Sequence, residues 1–260
     1  MERTPRRDRT LLSGLRLALL PAMEFLLPAC CAVCERLLAA NEKRIVCGHC
    51  WSRVRELSHP RCDRCGHPVT THVCRWCVNL PAFVRSARSH CWIGPGTGKD
   101  IVHALKYDGW SRAAGEIAER MARARFPRDV TQERAAIVPV PVARERERER
   151  GFNQSALLAL HLSRHWNIPS RHDVLLRVSS SRSQTRLTPG ERLGNVAGAF
   201  SVPGERRASI RGLHIMLLDD VVTTGATLRA SASALFAAGA RTISYITFGR
   251  APASGDRLFP

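Results

Sequence analysis

Lysine is almost missing from this chain. Only Lys43, Lys99 and Lys106 occur among its 260 residues, so its 40 basic side chains are nearly all arginine. Acidic residues are scarce as well, at 22, which leaves a formal net charge of +18. No stretch reaches the roughly 18 uncharged apolar residues of a membrane-crossing helix, so no membrane span is expected. A Ser–His–Asp set and a catalytic carboxylate pair are also lacking, which argues against the common hydrolytic layouts. The positive excess is spread over both halves of the chain. It suits phosphates, nucleic acid or acidic partners, and equally well a plain arginine-rich composition.

Cysteine, by contrast, is plentiful. Eight of the ten fall in four Cys-x-x-Cys pairs. Cys31/Cys34 and Cys47/Cys50 are separated by twelve residues, and Cys62/Cys65 and Cys74/Cys77 by eight. Each pair places two sulfurs on one side of a tight knuckle, and two knuckles close a tetrahedral site. Such a site has no open position for water, so structural Zn²⁺ is expected, in a reducing, cytoplasmic compartment. Two sites would lower the net charge to about +14. Sequential and interleaved pairings of the knuckles remain open. Cys30 and Cys91 are left over, with Cys30 an alternative to Cys31. His49, His59, His67 and His72 are weaker alternative ligands. Trp51 and Trp76, with Arg53, Arg61, Arg64 and Arg75, either form a small metal-stapled core or face nucleic acid.

The hydrophobic content of 44% permits a full core in one large or two small domains. Residues 1–27 form a basic and then apolar segment. Arg16 splits its apolar part and Pro28 suits a cleavage site poorly, so an amphipathic helix is expected there rather than a signal peptide. Residues 28–80 form the cysteine module. Residues 81–260 read as a βαβα domain with a mainly parallel sheet. Its connector leads to a first strand before residue 93. Residues 99–105 restart a helical period, and 111–125 read as an exposed amphipathic helix. Residues 136–142 read as a strand whose Pro139 and Pro141 put it near a sheet edge. Arg144, Arg146, Arg148 and Arg150 alternate with glutamates in a solvated run, extended or helical. Asn153 is a candidate cap for a helix reaching Trp166. Short strands are expected at 174–178 and 242–248, and Thr188-Pro189 opens a further helix.

The stretch 215–227 carries the chemistry. An apolar run, Ile215 to Leu218, meets Asp219 and Asp220, then Thr223, Thr224, Gly225, Ala226 and Thr227, then an Ala-rich helical pattern. Carboxylates at the C-terminal end of a parallel strand stand where open α/β sheets bind ligands. The Thr/Gly turn supplies backbone N–H groups, hydroxyls and a helix N-terminus to an anion. The carboxylates suit vicinal sugar hydroxyls or a hydrated cation. A phosphate cradle beside a diol clamp describes a ribose 5-phosphate site.

This stretch resembles the phosphoribosyl diphosphate (PRPP) signature of type I phosphoribosyltransferases. With the four cysteine pairs, His103-Ala104-Leu105-Lys106-Tyr107, Arg150-Gly151-Phe152-Asn153-Gln154, and Gln184, Arg192 and Asn195, the chain resembles the ComF family. That resemblance implies a double zinc ribbon before a phosphoribosyltransferase-like domain, and a role in DNA uptake during natural competence. It implies PRPP or a related phosphoribosyl ligand with Mg²⁺, and as partners single-stranded DNA and a competence helicase or other uptake protein. Asp219 and Asp220 would hold the ribose hydroxyls, and residues 223–227 the 5-phosphate. Lys106 and Tyr107 match the diphosphate-loop position, and Arg148 and Arg150 the flexible loop; Lys106, Arg148 and Arg150 are the residues of catalytic role. No acceptor-binding hood is recognisable, and the zinc module stands in its place. Two functions follow: phosphoribosyl transfer to an unknown acceptor, or non-catalytic binding of a nucleotide and single-stranded DNA. Metal removal is expected to unfold 30–77 and leave the sheet largely folded.

Overall fold

The computed structural model describes residues 29–39, 42, 44–69, 74–107, 110–178, 198–252 and 256. The expected segment 1–27 and helix at Thr188-Pro189, and with them His72, Gln184, Arg192 and Asn195, lie outside these residues.

A four-stranded parallel sheet organises the second half of the chain. In chain order its strands are β1 (Val84–Trp92), β2 (Arg134–Pro139), β5 (His214–Val222) and β6 (Thr242–Arg250). Across the sheet they run β1-β6-β5-β2, and all three pairings are parallel. The two central strands are buried nearly end to end, which is what a parallel sheet covered on both faces demands of its sequence. The strand expected at 242–248 is therefore a central one. β2 lies at an edge and ends at Pro139, whose missing N–H would break a ladder further in. A two-stranded antiparallel ribbon, β3 (Leu176–Arg177) and β4 (Phe200–Ser201), stands apart. It is shorter than the strand expected at 174–178.

Seven α-helices are described: α1 (Gly48–Ser52), α2 (Thr97–Tyr107), α3 (Ala113–Ala122), α4 (Arg128–Glu133), α5 (Arg144–Arg150), α6 (Gln154–Trp166) and α7 (Ala226–Ala237). α3 spaces Ala113, Ala114, Ile117, Ala118 and Met121 along one stripe, and all five are buried. It is thus a half-buried packing helix and not an exposed one. α6 begins where Asn153 Oδ1 accepts the N–H groups of Ser155 and Ala156. α5 resolves the alternating Arg/Glu run as helix with no buried residue.

One face of the sheet joins Met216, Leu218, Ile246 and Phe248 to α2, α3 and α6, and to Val46 and Trp51 of the cysteine module. The other joins Ile215, Leu217, Ile243 and Tyr245 to α7. The cysteine module is built into the sheet. Between its two halves, Glu56 bridges Cys91 antiparallel, Trp92 donates to Arg55 O at 2.8 Å, and Leu57 donates to His90 O at 3.2 Å. These bonds cover the free edge of β1. At the opposite edge, Ile137 donates to Pro169 O and accepts from Arg171 N in a parallel bridge. The module and the sheet thus share a core: without the module, the β1 edge and the Phe248 side of the core would face water.

Candidate functional site

The cysteine knuckles pair sequentially. Cys31, Cys34, Cys47 and Cys50 form one group and Cys62, Cys65, Cys74 and Cys77 the other, with all sulfurs of a group within 4.8 Å of one another. In the first group Cys31–Cys50 and Cys34–Cys47 stand 3.8 and 3.7 Å apart. A tetrahedron with Zn–S bonds of about 2.3 Å has an edge of about 3.8 Å, so this set fits zinc without rearrangement. The second group is tighter, with Cys62–Cys77 at 3.2 Å and Cys65–Cys74 at 3.4 Å. Backbone N–H groups point at the sulfurs: Cys47 donates to Cys31 Sγ at 3.3 Å and Cys50 to Cys47 Sγ at 3.4 Å. Such donors stabilise thiolate charge.

The two halves repeat the same knuckle. Glu35 donates to Cys31 O and Gly66 to Cys62 O, both at 2.9 Å. Both residues are left-handed, at φ 59° and 67°. Only the second must be glycine, because a Cβ there would meet Ala87 O at 2.3 Å. Cys30, Cys91, His49, His59 and His67 belong to neither group. His67 instead pairs with Asp256 at 2.9 Å.

Trp51 and Arg64 serve packing. Trp51 is 7% exposed, donates to Glu116 Oε2 at 2.8 Å, lies under the Arg120 guanidinium and meets Phe248 edge-on. The Glu116 carboxylate also takes the Ile45 N–H. Arg64 donates to Leu80 O at 3.1 Å and Pro81 O at 2.9 Å. These contacts support the packing reading of the two side chains.

The second site stands at the C-terminal end of β5. Asp219 and Asp220 end its buried part, and residues 223–225 turn into α7 with Gly225 left-handed at φ 75°. Thr223 and Thr224 are exposed, and Thr224 Oγ1 accepts from Ala226 N at 3.4 Å. Ser155 donates to Asp219 Oδ1 at 2.9 Å, and Gln154 Nε2 to Asp220 Oδ1 at 3.4 Å. Lys106, at the last turn of α2, forms an ion pair with Asp220 Oδ2. The ammonium expected to face a diphosphate is thus held by a carboxylate here. Arg150 donates to Gln154 Oε1 at 3.0 Å and Tyr107 OH at 2.8 Å, and stacks over the Tyr107 ring. Tyr107 is mostly exposed, as is Arg148 on α5.

Burial, with the Asp220 charge beside it, pushes the Asp219 carboxyl up to about 8, against the hydrogen bonds from Ser155 and the Asp220 N–H. Lys106 thus pairs with one of two adjacent carboxyls, Asp220, and the other retains its proton near neutrality. Such a pair takes up a hydroxyl donor or a divalent cation readily.

The structure brings Lys106, Tyr107, Arg150, Asp219 and Asp220 together around one strand end, with residues 223–227 adjoining; Arg148 stands apart. The positioning residue absent from the sequence reading is Ser155. It directly follows the Arg150–Gln154 run, on the first turn of the helix that Asn153 caps.

Fold and site define a class: a parallel α/β sheet, with paired carboxylates at the end of a central strand, joined to a double zinc ribbon. Residues 22–79 match the family model of the double zinc ribbon domain. The chain is 30% identical to competence protein ComFC of Bacillus subtilis over 222 residues, covering 82% of this chain and 87% of that protein. It is 31% identical to the DNA utilization protein YhgH of Salmonella typhimurium over 226 residues, covering 83% and 94%. Among solved structures it is similar to the glutamine PRPP amidotransferase from B. subtilis, with 18% identity and a TM-score of 0.35, over 51% of this chain and 25% of that one. The chain belongs to the ComF family. Among the described residues no helix is long and apolar enough to cross a membrane.

Proposed function

We propose that the protein binds PRPP or a related phosphoribosyl ligand and serves DNA uptake and use, as the names of its relatives suggest for them. The observation that carries this reading is the Asp219-Asp220 pair running into the Thr223–Gly225 turn at the start of α7, faced by Lys106 and Arg150. Asp219 and Asp220 accept the ribose hydroxyls. Residues 223–227 cradle the 5-phosphate through backbone N–H groups and hydroxyls. Lys106 must leave Asp220 to meet a diphosphate, and Arg150 is held beside it by Tyr107 and Gln154. The Asp219-Asp220 pair offers two adjacent carboxylates to Mg²⁺, with Lys106 paired to Asp220; when bound, the ion would neutralise diphosphate charge. Departure of that group needs positioning and charge stabilisation more than a strong base, which matches the residues present. The thiol-rich zinc module favours the reducing cytoplasm.

Titration calorimetry with PRPP and Mg²⁺ tests this. Binding is expected for the native chain, and its loss by more than tenfold for the Asp219→Asn/Asp220→Asn variant. Equal binding by both would overturn the reading. Pyrophosphate release with cellular acceptor mixtures separates transfer from binding alone. The non-catalytic, DNA-binding reading draws on one further observation. A cleft of about 550 Å³ between the ribbons and the sheet is lined by Arg61, Arg88, Arg120, Arg123 and Arg125, against Glu56 and Asp63. Single-stranded DNA affinity that falls steeply with salt supports that reading, and salt-independent binding contradicts it.

A further inference from the structure

The arginine-lined cleft runs from Trp51 on α1, across residues 88–90 of β1, to the loop that follows α3. Its volume of about 550 Å³ falls within the roughly 300–1,000 Å³ of pockets that hold small ligands. Lys106, Tyr107, Arg150 and residues 219–227 do not line it, so it is separate from the strand-end site. Its charges are unbalanced. Five arginines face two carboxylates, an excess of three positive charges before any histidine is counted.

The fold answers little of that excess. Arg123 is paired with Glu119 at 2.6 Å. Arg88 donates to Arg125 O at 2.7 Å and Asp63 O at 2.9 Å, and Arg61 donates to Leu57 O and Ser58 O. These carbonyls fix the two guanidinium groups without neutralising them. Arg120 lies over the Trp51 ring at 3.5 Å, and neither it nor Arg125 makes a side-chain hydrogen bond or ion pair among the described residues. The cations also act on one another. Burial holds the Arg120 guanidinium below its usual range, and Arg123 adds to the effect. Burial, then Arg120, Arg61 and Arg123, lower His90 against the pull of Glu56. An anion seated among these groups relieves their repulsion.

Charge and depth select the kind of anion. A single carboxylate answers one excess charge. A chain of two or three phosphates answers them all, and its oxygens suit the planar guanidinium fork. The rim carries both signs, since Arg123, Arg125, Glu56 and Asp63 are all exposed. Arg61, Arg88 and Arg120 stand deeper, half-buried or buried. A nucleic-acid strand bears a charge at every nucleotide and meets repulsion at Glu56 and Asp63. A compact anion passes that rim once and stays among the deeper arginines.

We propose that this cleft binds a compact polyphosphate, an inorganic chain or the phosphate end of a nucleotide, as an anion site distinct from the strand end. The inference does not rest on the phosphoribosyl reading. Arg120 and Arg125 supply the unpaired forks, and Arg61 and Arg88 the fixed positive field behind them.

The test titrates inorganic triphosphate, ATP and an oligothymidylate without terminal phosphate into the full zinc-loaded chain, by calorimetry without added Mg²⁺. Lys106→Gln/Arg150→Gln removes the strand-end cations, and saturable triphosphate binding is expected to persist in it. Arg120→Gln/Arg125→Gln should weaken that binding more than about tenfold, since each arginine offers charge-assisted bonds. Arg125→Gln alone changes an exposed side chain and should weaken it roughly fivefold. Glu56→Gln removes a repelling carboxylate and should strengthen it roughly two- to fivefold, a gain that a damaged fold does not give. ATP that binds more tightly than triphosphate assigns the site to a nucleotide; equal or weaker binding assigns it to the inorganic chain. Both support the proposal. Loss of all triphosphate binding in Lys106→Gln/Arg150→Gln overturns it, as does an affinity unmoved by both Arg125→Gln and Glu56→Gln. Displacement of triphosphate by the oligothymidylate at lower concentration than by ATP overturns it in favour of a strand.

Discussion

The two zinc ribbons have the same knuckles and opposite relations to the sheet. The first buries its apolar surface. Trp51, Val46 and Cys50 enter the core that holds Phe248 and Met121, and Glu116 of α3 receives the Trp51 and Ile45 N–H groups. The second touches the sheet through polar bonds: Asp63 O takes the Ser86 hydroxyl and an Arg88 N–H, and Cys65 O takes Arg250. It leaves a cavity of about 190 Å³ beside the Thr223–Gly225 turn. A repeated metal motif thus does two things in one chain. One copy is a staple for the core. The other is a rigid wall that holds open a space beside the phosphate turn.

The largest expected effect separates the copies directly. Cys50→Ser breaks the first site and exposes Trp51 and Phe248, and should cost more than about 4 kcal/mol in denaturant unfolding. Cys77→Ser opens a half-exposed site and should cost about 1–3 kcal/mol. Equal losses would break the comparison. Next, Glu116→Ala leaves the Trp51 and Ile45 N–H groups without their acceptor. A loss of about 2–4 kcal/mol is expected from two hydrogen bonds to a charged group. Arg64→Ala removes bonds to two loop carbonyls at the base of the second ribbon and should cost about 1–2 kcal/mol in denaturant unfolding. The smallest effect lies outside both ribbons. The Asp219 carboxyl is raised in the fold, so its ionisation opposes folding. That cost is absent below about pH 4, the unfolded value, grows up to about pH 8 and is constant above. Asp219→Asn should therefore gain a few degrees in melting temperature at pH 8 and almost none near pH 4.

The zinc ligands and the 215–227 stretch were legible because their information is local. Spacing within Cys-x-x-Cys, and a strand running into Asp-Asp and Thr-Thr-Gly, fix geometry within a few residues. Asn153 as a cap and the edge position of the Pro139 strand were readable for the same reason. The docking of the ribbons was not legible. Trp51 allowed a packing reading or a nucleic-acid reading until Glu116, Arg120 and Phe248 appeared around it, and none of these is near it in sequence. Tyr245 carries no signal in an alternating strand; only its buried, unpaired hydroxyl sets it apart. The Lys106–Asp220 ion pair likewise follows from α2 folding back over the end of β5, which no local pattern encodes. The helical state of Arg144–Arg150 was open because neither alternative buried its charges.

The antiparallel bridge of Glu56 to Cys91, and the bond from Arg250 to Cys65 across 185 positions, also bear on how the chain acquires its shape. The zinc knuckles can close early, since each needs only neighbours within about twenty residues. Their docking must wait for β6, which is synthesised long afterwards. During that interval a metal-loaded module carries an exposed tryptophan with no core to receive it. Contacts of such long range slow the final step and leave the nascent chain open to misassembly.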